Sequence, residues 1–297
     1  MSSRILVLVI ASDSPVHYVE MQKVWRESVK RQMHRFGVTD ENRFHNENRF
    51  RVTNGIDNAH RFEVTSVDRV TDENRFRITD ENRFQVTNGI NNAHRFETWF
   101  VKAKPERLWI GDIANDGPLS NIIEFDNDAM TIYVKGEETY IPGILNKTIE
   151  AIRAIGRSFD YIWRTNLSSV LDYQGLLDYV DRCDTSYAGY AGISVDGYKF
   201  ASGAGFLMSR DAVNYLIENE RSLMMDVIDD VAIGKLLEPR FNLIHIDRCW
   251  VDNSSCVDGY YVFNESVFHF RCETYKHERT IEFMNAALRH ICEMRSK

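Results

Sequence analysis

The sequence predicts an α/β fold in which helices flank a mixed β-sheet, with a repeat-containing insertion. Two observations predict the sheet and its helices: short apolar runs typical of buried strands alternate with segments whose apolar residues recur at helical spacing. A third observation predicts the insertion, because residues 37–97 repeat themselves and lack this alternation. With 297 residues, of which 43% are hydrophobic, the chain is long enough to form one large domain over residues 1–297.

The chain opens with a predicted strand, loop and helix. The apolar run at 4–11 is too short to span a bilayer, and polar Ser12, Asp13 and Ser14 follow it where a secreted protein would carry a small-residue cleavage site. Residues 16–32 then place apolar side chains at helical spacing. These features predict a buried first strand in a cytoplasmic protein without a membrane span.

The predicted insertion consists of two repeated motifs. Thr-Asp-Glu-Asn-Arg-Phe occurs at 39–44, 71–76 and 79–84, and Asn-Gly-Ile-Asx-Asn-Ala-His-Arg-Phe occurs at 54–62 and 88–96. Short strand-like pieces between turn signals fit either a small β-meander or a mobile protrusion. The Arg-Phe pairs could form an aromatic and basic binding strip, but we favour a repeat-expanded surface insertion without a catalytic role.

The remaining sequence predicts further alternation of strands and helices. Pro142 fits the first turn of a helix that has Ile141, Leu145, Ile149, Ile152 and Ile155 on one face. Ser209 is predicted to cap another helix. The predicted strands are 98–102, 131–134, 159–163, 186–191 and 200–208, and a further helix is predicted near 173–183.

Charge and cysteine content exclude several classes of protein. The net charge of −8, with no basic stripe to offset it, argues against a general binder of nucleic acid or anionic membranes. The five cysteines lack the Cys-x-x-Cys pairs that zinc sites favour. We therefore expect buried, reduced thiols.

Polar residues follow two of the predicted strands, where ligands bind in open α/β sheets. They are Ser12 with Asp13, and the triplet from Arg164 to Asn166. Asp13 could accept hydrogen bonds from a base or ribose, and Arg26 and Arg164 could neutralise a diphosphate. Turn capping by Ser12 or Asp13 and a surface ion pair for Arg26 are equally good interpretations.

Two later segments carry the strongest chemical signal. The strand at 200–208 contains small residues that let a backbone or ligand approach closely, namely Ser202, Gly203, Ala204 and Gly205. Asp229 and Asp230 then begin an apolar helix, on which adjacent side chains point about 100° apart. One acid can therefore face a crevice while the other caps or pairs, an arrangement that suggests glycosyl transfer.

The order of these motifs resembles a known group of enzymes. A strand with Ser-Asp, Trp25-Arg26, Lys147-Thr148, a Ser-Gly-x-Gly strand and Asp-Asp-Val are similar to GT-A (Rossmann-like) glycosyltransferases of the β-1,3-galactosyltransferase and Fringe type. The Arg-Thr-Asn-Leu-Ser-Ser segment at 164–169 also resembles giant-virus and microbial glycosyltransferases. The resemblance covers residues 1–35 and 98–275.

The resemblance implies an inverting transfer from a nucleotide-sugar, such as a UDP-sugar, to a hydroxyl of a glycan or glycoprotein acceptor. It places Asp230 as the base, with Asp229 assisting. The implied donor pocket consists of Ser12, Asp13, Arg26, Lys147, Arg164, Thr165, Asn166, Ser202, Gly203, Ala204 and Gly205. A retaining transferase, a non-catalytic glycan- or nucleotide-binding module and a repeat-mediated interaction protein remain as alternatives.

The largest departure from the family concerns the metal. Arg164, Thr165 and Asn166 occupy the position of the family's Asp-x-Asp motif, and they lack the hard anionic oxygens that Mn²⁺ or Mg²⁺ prefer. Either Arg164 replaces the cation or the metal binds weakly. Asp126-Asn127-Asp128 is interpreted as a polar loop, and His269 either binds metal or diphosphate or is a core residue. Arg271 could meet phosphate, and sugar stacking competes with core packing for Trp250, Tyr260 and Tyr261.

Overall fold

A computed structural model describes residues 3–36, 95–105, 123–247, 249–252, 256–257, 260–261, 263–272 and 277–296. The chain divides into two compact units, one formed by Met1–Gln32 with His94–Lys297 and the other by Met33–Ala93. Of the predicted insertion at 37–97, only residues 95–97 are described. Two of these already belong to a strand that begins at Phe96, so the sheet resumes before the predicted end of the insertion.

The described elements follow the predicted alternation. The strands are β1 Ile5–Ile10, β2 Phe96–Lys104, β3 Ile123–Asp126, β4 Thr131–Lys135, β5 Tyr161–Asn166, β6 Ser169–Leu171, β7 Tyr187–Ile193, β8 Lys199–Ser209, β9 Ile244–His245, β10 Cys249–Asp252, β11 Cys256–Val257, β12 Tyr260–Tyr261 and β13 His269–Cys272. The α-helices are α1 His17–Arg35, α2 Gly143–Ile155, α3 Tyr173–Val180, α4 Arg210–Glu218, α5 Asp229–Phe241 and α6 His277–Met294. Short 3₁₀ turns occupy Gly156–Ser158 and Glu220–Ser222.

The main sheet has the strand order β3-β4-β2-β1-β5-β8-β7-β9. Strands β4, β2, β1 and β5 run parallel, whereas β8 is antiparallel to both β5 and β7. A second sheet has the order β10-β13-β6, and β11 pairs with β12. The prediction of a mixed sheet flanked by helices is therefore confirmed.

Helices cover both faces of the main sheet. Alternate residues of β1 point to opposite faces, and all six are therefore buried. Leu6, Leu8 and Ile10 join a core cluster with the buried faces of α2, α4 and α5. On the other face, Trp25 of α1 donates its indole N–H to the Leu167 carbonyl, and the Thr98 and Tyr173 hydroxyls share a 2.8 Å hydrogen bond. This packing fixes the parallel strands whose carboxyl ends carry the polar residues.

The structure corrects some of the predicted elements and confirms the predicted helix cap. Ile141 does not share the buried face of α2, since the helix begins only at Gly143 and the Ile141 side chain is 39% exposed. Ser209 does cap α4, and its hydroxyl oxygen accepts a 3.3 Å hydrogen bond from the Ala212 N–H. The described free thiols, Cys183 and Cys292, are half-buried. Helix α6 and the strands β3, β6, β9, β10, β11 and β12 were not predicted.

The edge of the sheet beyond β7 is closed by a very short strand. Strand β9 pairs only with Ala188 and Gly189. The next contact comes from the His245 side chain, whose Nδ1 accepts the Ala191 N–H at 3.0 Å, while its Nε2 lies 3.1 Å from an Asp247 carboxylate oxygen. The imidazole therefore continues the strand by one hydrogen bond.

None of the helices in the described part of the chain is long and apolar enough to cross a membrane.

Candidate functional site

The predicted site residues meet at one edge of the main sheet. The carboxyl ends of β1 and β5 lie side by side there, with Ile10 opposite Asn166. Antiparallel β8 brings its first half to the same edge, since Gly205 pairs with Thr165. Helix α5 begins there as well, and its first residue, Asp229, contacts Arg164 of β5.

The small-residue segment of β8 leaves the ladder with β7. Gly189 pairs with Phe206 and Ala191 with Ala201, so Tyr190 alone stands opposite residues 202–205. We call this segment the 202–205 bulge. A bulge frees backbone groups from strand pairing and leaves them to find other partners.

Side chains of the 164–169 segment bind two carbonyls of the bulge. The Gly203 carbonyl accepts from Arg164 Nη1 and, at 3.1 Å, from Asn166 Nδ2. The Ala204 carbonyl accepts from the hydroxyl of Thr165 at 2.7 Å and from that of Ser169 at 3.3 Å. The triplet at the family's Asp-x-Asp position therefore contacts its own chain through all three of its side chains.

Glycine is needed in the bulge because other side chains approach its backbone closely. A Cβ on Gly205 would lie 2.7 Å from both His269 Nε2 and Trp163 Cζ2. A Cβ on Gly203 would lie 3.0 Å from Arg164 Nη1 and 3.1 Å from Asp230 Oδ2. The sequence therefore correctly predicted close approach, but the approaching atoms belong to the protein.

The two acids at the start of α5 have different partners. Asp229 forms an ion pair with Arg164, and the two side chains are only 9% and 3% exposed. Asp230 Oδ2 accepts from the Gly203 N–H at 2.7 Å, and its Oδ1 accepts from the Val231 N–H at 2.8 Å. Burial and the nearby Asp229 charge raise the pKa of Asp230, although these hydrogen bonds and the Arg164 charge oppose the rise.

Tyr140 and Arg271 belong to the surroundings of the acids, and of these two only Arg271 was named from the sequence, as a phosphate contact. Burial of its hydroxyl, then the charges of Asp230 and Asp229, raise the pKa of Tyr140, while the Arg271 charge acts in the opposite direction. Tyr140 is 68% exposed, and the charges of both acids act on its phenol. Nothing in the sequence around Tyr140 indicated this position.

The end of β1 presents a second polar group. The Ser12 hydroxyl exchanges hydrogen bonds with the backbone of Ser14, which makes it a turn residue. Asp13 Oδ1 accepts from Lys102 Nζ at 2.7 Å and from Gln22 Nε2 at 3.2 Å. Burial raises the pKa of Asp13, but the hydrogen bonds from Lys102 and Gln22 outweigh it and hold the pKa below its usual value.

Lys147 of α2 reaches the end of β1. Its buried ammonium donates to the Ala11 carbonyl at 2.7 Å and to Glu138 Oε2 at 2.6 Å. Burial lowers the pKa of Lys147, and the Glu138 carboxylate partly offsets this effect. The cation is thus already held by two oxygen atoms of the protein.

Arg26 lies apart from the bulge and its acids. Its guanidinium donates to the Ala129 carbonyl and, at 3.3 Å, to the Thr131 hydroxyl, and it stacks over the Phe100 ring. Thr131 begins β4 level with the carboxyl end of β1, since it pairs with Phe100 and Phe100 pairs with Val9, and the Arg26 charge also lowers the pKa of Asp13. Strands β2 and β1 lie between β4 and β5, so Arg26 is separated from the bulge across the sheet. Asp126 is the last residue of β3, and residues 127–130 form the turn to β4, so the predicted polar loop is confirmed for Asn127 and Asp128 but not for Asp126. The Asp126 carboxylate accepts the Ala129 N–H.

His269 is a fully buried residue of β13. Its Nε2 lies 3.1 Å from the Thr165 hydroxyl, and burial together with the Arg271 charge lowers its pKa to about 3. Because the Thr165 hydroxyl donates to the Ala204 carbonyl, it accepts a hydrogen bond from His269 Nε2–H. The core interpretation of His269 therefore agrees with its surroundings.

The described residues do not fit a divalent cation held by protein carboxylates. Within the described ranges, no three His, Cys, Asp or Glu side chains converge as a metal site would require. The Asp229 carboxylate already accepts a hydrogen bond from the Arg164 guanidinium, and His269 Nε2 is hydrogen-bonded to the Thr165 hydroxyl.

The aromatic residues named for sugar stacking are only partly described. The Tyr261 ring packs edge-on against Phe283 at 5.2 Å, which is core packing. The side chains of Trp250 and Tyr260 lie outside the described residues.

Taken together, the site offers a buried carboxyl group with a raised pKa at the edge of an α/β sheet. Such a group can take a proton from a hydroxyl. The sequence matches no protein-family model and no curated protein.

Proposed function

We propose that this protein is a glycosyltransferase of GT-A type that carries the repeats as an insertion. It moves a sugar from a nucleotide-sugar donor, such as a UDP-sugar, to a hydroxyl of a glycan or protein. The observation that supports the proposal is Asp230, a largely buried acid beside the carboxyl end of β5, whose pKa is raised by burial and by Asp229. Ligands bind beyond the carboxyl ends of strands in open α/β sheets.

The proposed reaction inverts the anomeric centre. Asp230 takes the proton from the acceptor hydroxyl while that oxygen bonds to the anomeric carbon. The bond from this carbon to the diphosphate oxygen breaks on the opposite face, and the nucleoside diphosphate leaves with the electron pair. A base is most effective when its pKa approaches the working pH, and the environment of Asp230 moves its pKa in that direction.

Asp229 has a supporting part in this proposal. Its negative charge contributes to the raised pKa of Asp230. Asp229 pairs with the Arg164 cation, whereas Asp230 accepts from the uncharged Gly203 N–H. No step is assigned to a metal ion, because the described residues do not fit one.

The proposal is tested first by donor binding. Thermal shifts with UDP-, GDP-, dTDP- and CMP-sugars, each with and without Mn²⁺, should identify a donor that raises the melting temperature. If none of these donors raises the melting temperature or is turned over, the proposal is overturned.

With a donor in hand, Asp230→Asn should lower kcat about 10²- to 10⁴-fold, because the amide cannot take a proton. Asp211→Asn is the matched control, since Asp211 occupies the same second position of α4 that Asp230 occupies in α5. The control should keep full activity. Full turnover by Asp230→Asn would remove Asp230 as the base, and the anomeric configuration of the product would then distinguish a retaining enzyme.

A second candidate is a non-catalytic module that binds a glycan or nucleotide. The observation that favours it is the pairing of the two buried cations near the ends of β1 and β5, since Lys147 binds Glu138 and Arg164 binds Asp229. This candidate predicts a thermal shift with a ligand but no product by mass spectrometry.

A further inference from the structure

The end of β5 holds an unusual concentration of hydrogen bonds directed at one backbone segment. Arg164, Thr165 and Asn166 donate to only two carbonyl groups. The Ser169 hydroxyl lies 3.3 Å from one of these carbonyls, that of Ala204, and 3.2 Å from Asn166 Oδ1, so it supports the carbonyl either directly or through Asn166. Both carbonyls belong to the 202–205 bulge, which strand β7 leaves without ladder partners. The N–H of Gly203 in the same bulge binds the Asp230 carboxylate.

We propose that Arg164, Thr165, Asn166 and Ser169 are positioning residues, which hold the 202–205 bulge so that the Gly203 N–H orients the Asp230 carboxylate. The proposal rests on the proposed function of Asp230 as the base. It assigns to the triplet a role directed at the protein backbone, whereas the family resemblance implied donor binding for the same residues.

Burial supports this assignment. Arg164 and Thr165 are almost completely buried, so neither side chain is available to a ligand without movement of the bulge. The single O–H of Thr165 is used by the Ala204 carbonyl at 2.7 Å. A hydroxyl has only one proton to donate, so this group has none left for a donor phosphate.

The geometry links the carbonyls to the acid through two successive peptide groups. The hydrogen bonds to the carbonyl oxygens of Gly203 and Ala204 fix the planes of the peptide groups that follow these two residues, because each peptide group is rigid. The Gly203 N–H lies at the other side of the same residue and reaches Asp230 Oδ2 at 2.7 Å. Release of either carbonyl therefore allows the N–H to turn away from the acid.

Thr165→Val tests the proposal with little change in side-chain volume. It removes the hydroxyl that binds the Ala204 carbonyl and keeps the β-branched shape. We expect kcat to fall about 10- to 100-fold, as for a displaced catalytic group, while the donor KM changes less than about threefold. A large rise in donor KM with an unchanged kcat would instead identify Thr165 as a donor contact and overturn the proposal.

Two further variants separate positioning from general damage to the core. Thr165→Ser keeps the hydroxyl and should recover most of the lost kcat. Thr98→Val removes a comparable buried hydroxyl hydrogen bond, the one to Tyr173, from strand β2. It should lower the melting temperature less than Thr165→Val, which also leaves the His269 Nε2–H without its acceptor, and it should leave kcat unchanged. An equal loss of kcat in both variants would contradict positioning.

A measurement without turnover distinguishes failure of this proposal from failure of the proposed function. Carboxyl ¹³C NMR follows the titration of Asp230, whose resonance is assigned by its loss in Asp230→Asn. Because the Gly203 N–H favours the ionised carboxylate, Thr165→Val should raise the Asp230 pKa by about half a pH unit, and Thr98→Val should not. If the Asp230 titration is unchanged in Thr165→Val, the positioning proposal is overturned even when no donor has been found. If the titration shifts but no sugar is transferred by the unaltered protein, only the proposed glycosyltransferase function is overturned.

Discussion

The carboxyl ends of β1 and β5 both carry an ion pair, but the two pairs differ in their exposure to solvent. At the β1 end, Asp13 binds Lys102, and the Asp13 side chain is 61% exposed. At the β5 end, Asp229 binds Arg164, and neither side chain is more than 9% exposed. Ser12 and Asp13 follow β1 as predicted, whereas Arg164, Thr165 and Asn166 were predicted to follow a strand but are the last three residues of β5. Only the β1 end presents an acid largely to solvent.

Position at the carboxyl end of a strand therefore does not by itself identify a ligand-binding residue. Charges at the β5 end are buried, and a buried charge must be paired within the protein. Its side chains accordingly bind Asp229 and the bulge carbonyls. At the β1 end water can solvate Asp13, which leaves that side chain free to exchange its partners at a smaller cost.

The largest expected effect is on the free energy of unfolding when the β5 pair is broken. Arg164→Met leaves the buried Asp229 carboxylate without its cation and should cost about 3–5 kcal/mol. Lys102→Met breaks the β1 pair and should cost less than about 1 kcal/mol, because Asp13 becomes hydrated. Urea unfolding of both variants measures the contrast.

The double variant Arg164→Met/Asp229→Leu is the control for the β5 pair. It removes both charges and should recover much of the lost stability, since apolar replacement of a buried pair is often neutral. Equal losses for Arg164→Met and Lys102→Met would show that the two ends do not differ in burial of charge.

A smaller effect is expected from acid. His269 has a folded-state pKa of about 3, so it stays neutral while the unfolded chain gains a proton below about pH 6.5. Its contribution to stability is complete above the unfolded value and is lost as the pH falls toward 3. Between pH 7 and 5 the loss should be about 2 kcal/mol.

His269→Gln checks this effect, because the variant has no proton to gain and its unfolding free energy should depend less on pH over the same range. Urea midpoints at several pH values give the comparison. A pH dependence identical to that of the unaltered protein would show that His269 titrates normally in the folded state.

The smallest effect is expected at the β1 end. The folded-state pKa of Asp13 is lowered, so its contribution to stability is present above the usual value and is lost as the pH falls through the lowered one. Because the side chain is mostly exposed, Asp13→Asn should cost less than about 1 kcal/mol near pH 7 and almost nothing near pH 3. A larger cost near pH 7 would place Asp13 among the buried charges of the β5 end.

The fold was largely predictable because its signals are local. The apolar run of β1 and the spacing of Leu145, Ile149 and Ile152 in α2 each indicate one element without reference to the rest of the chain. Helix α6 was missed although Met284, Leu288 and Ile291 recur at helical spacing and are buried.

The arrangement of the site was less predictable because it depends on distant partners. The pairing of Arg164 with Asp229 joins residues 65 positions apart, and no property of either neighbourhood specifies the other. The small residues at 202–205 predicted close approach correctly. What approaches them is decided by the antiparallel pairing of β5 with β8, which brings Arg164 and Thr165 beside the bulge.

The His245 imidazole at the outer edge of the sheet has a consequence for neighbouring molecules in a crowded solution. The N–H of Ala191 would otherwise point outward as a template on which a strand of another chain could pair. A side-chain nitrogen fills that position without offering a continuing backbone of its own. Growth of the sheet by addition of foreign strands is thereby blocked at Ala191 by a group that cannot itself be extended.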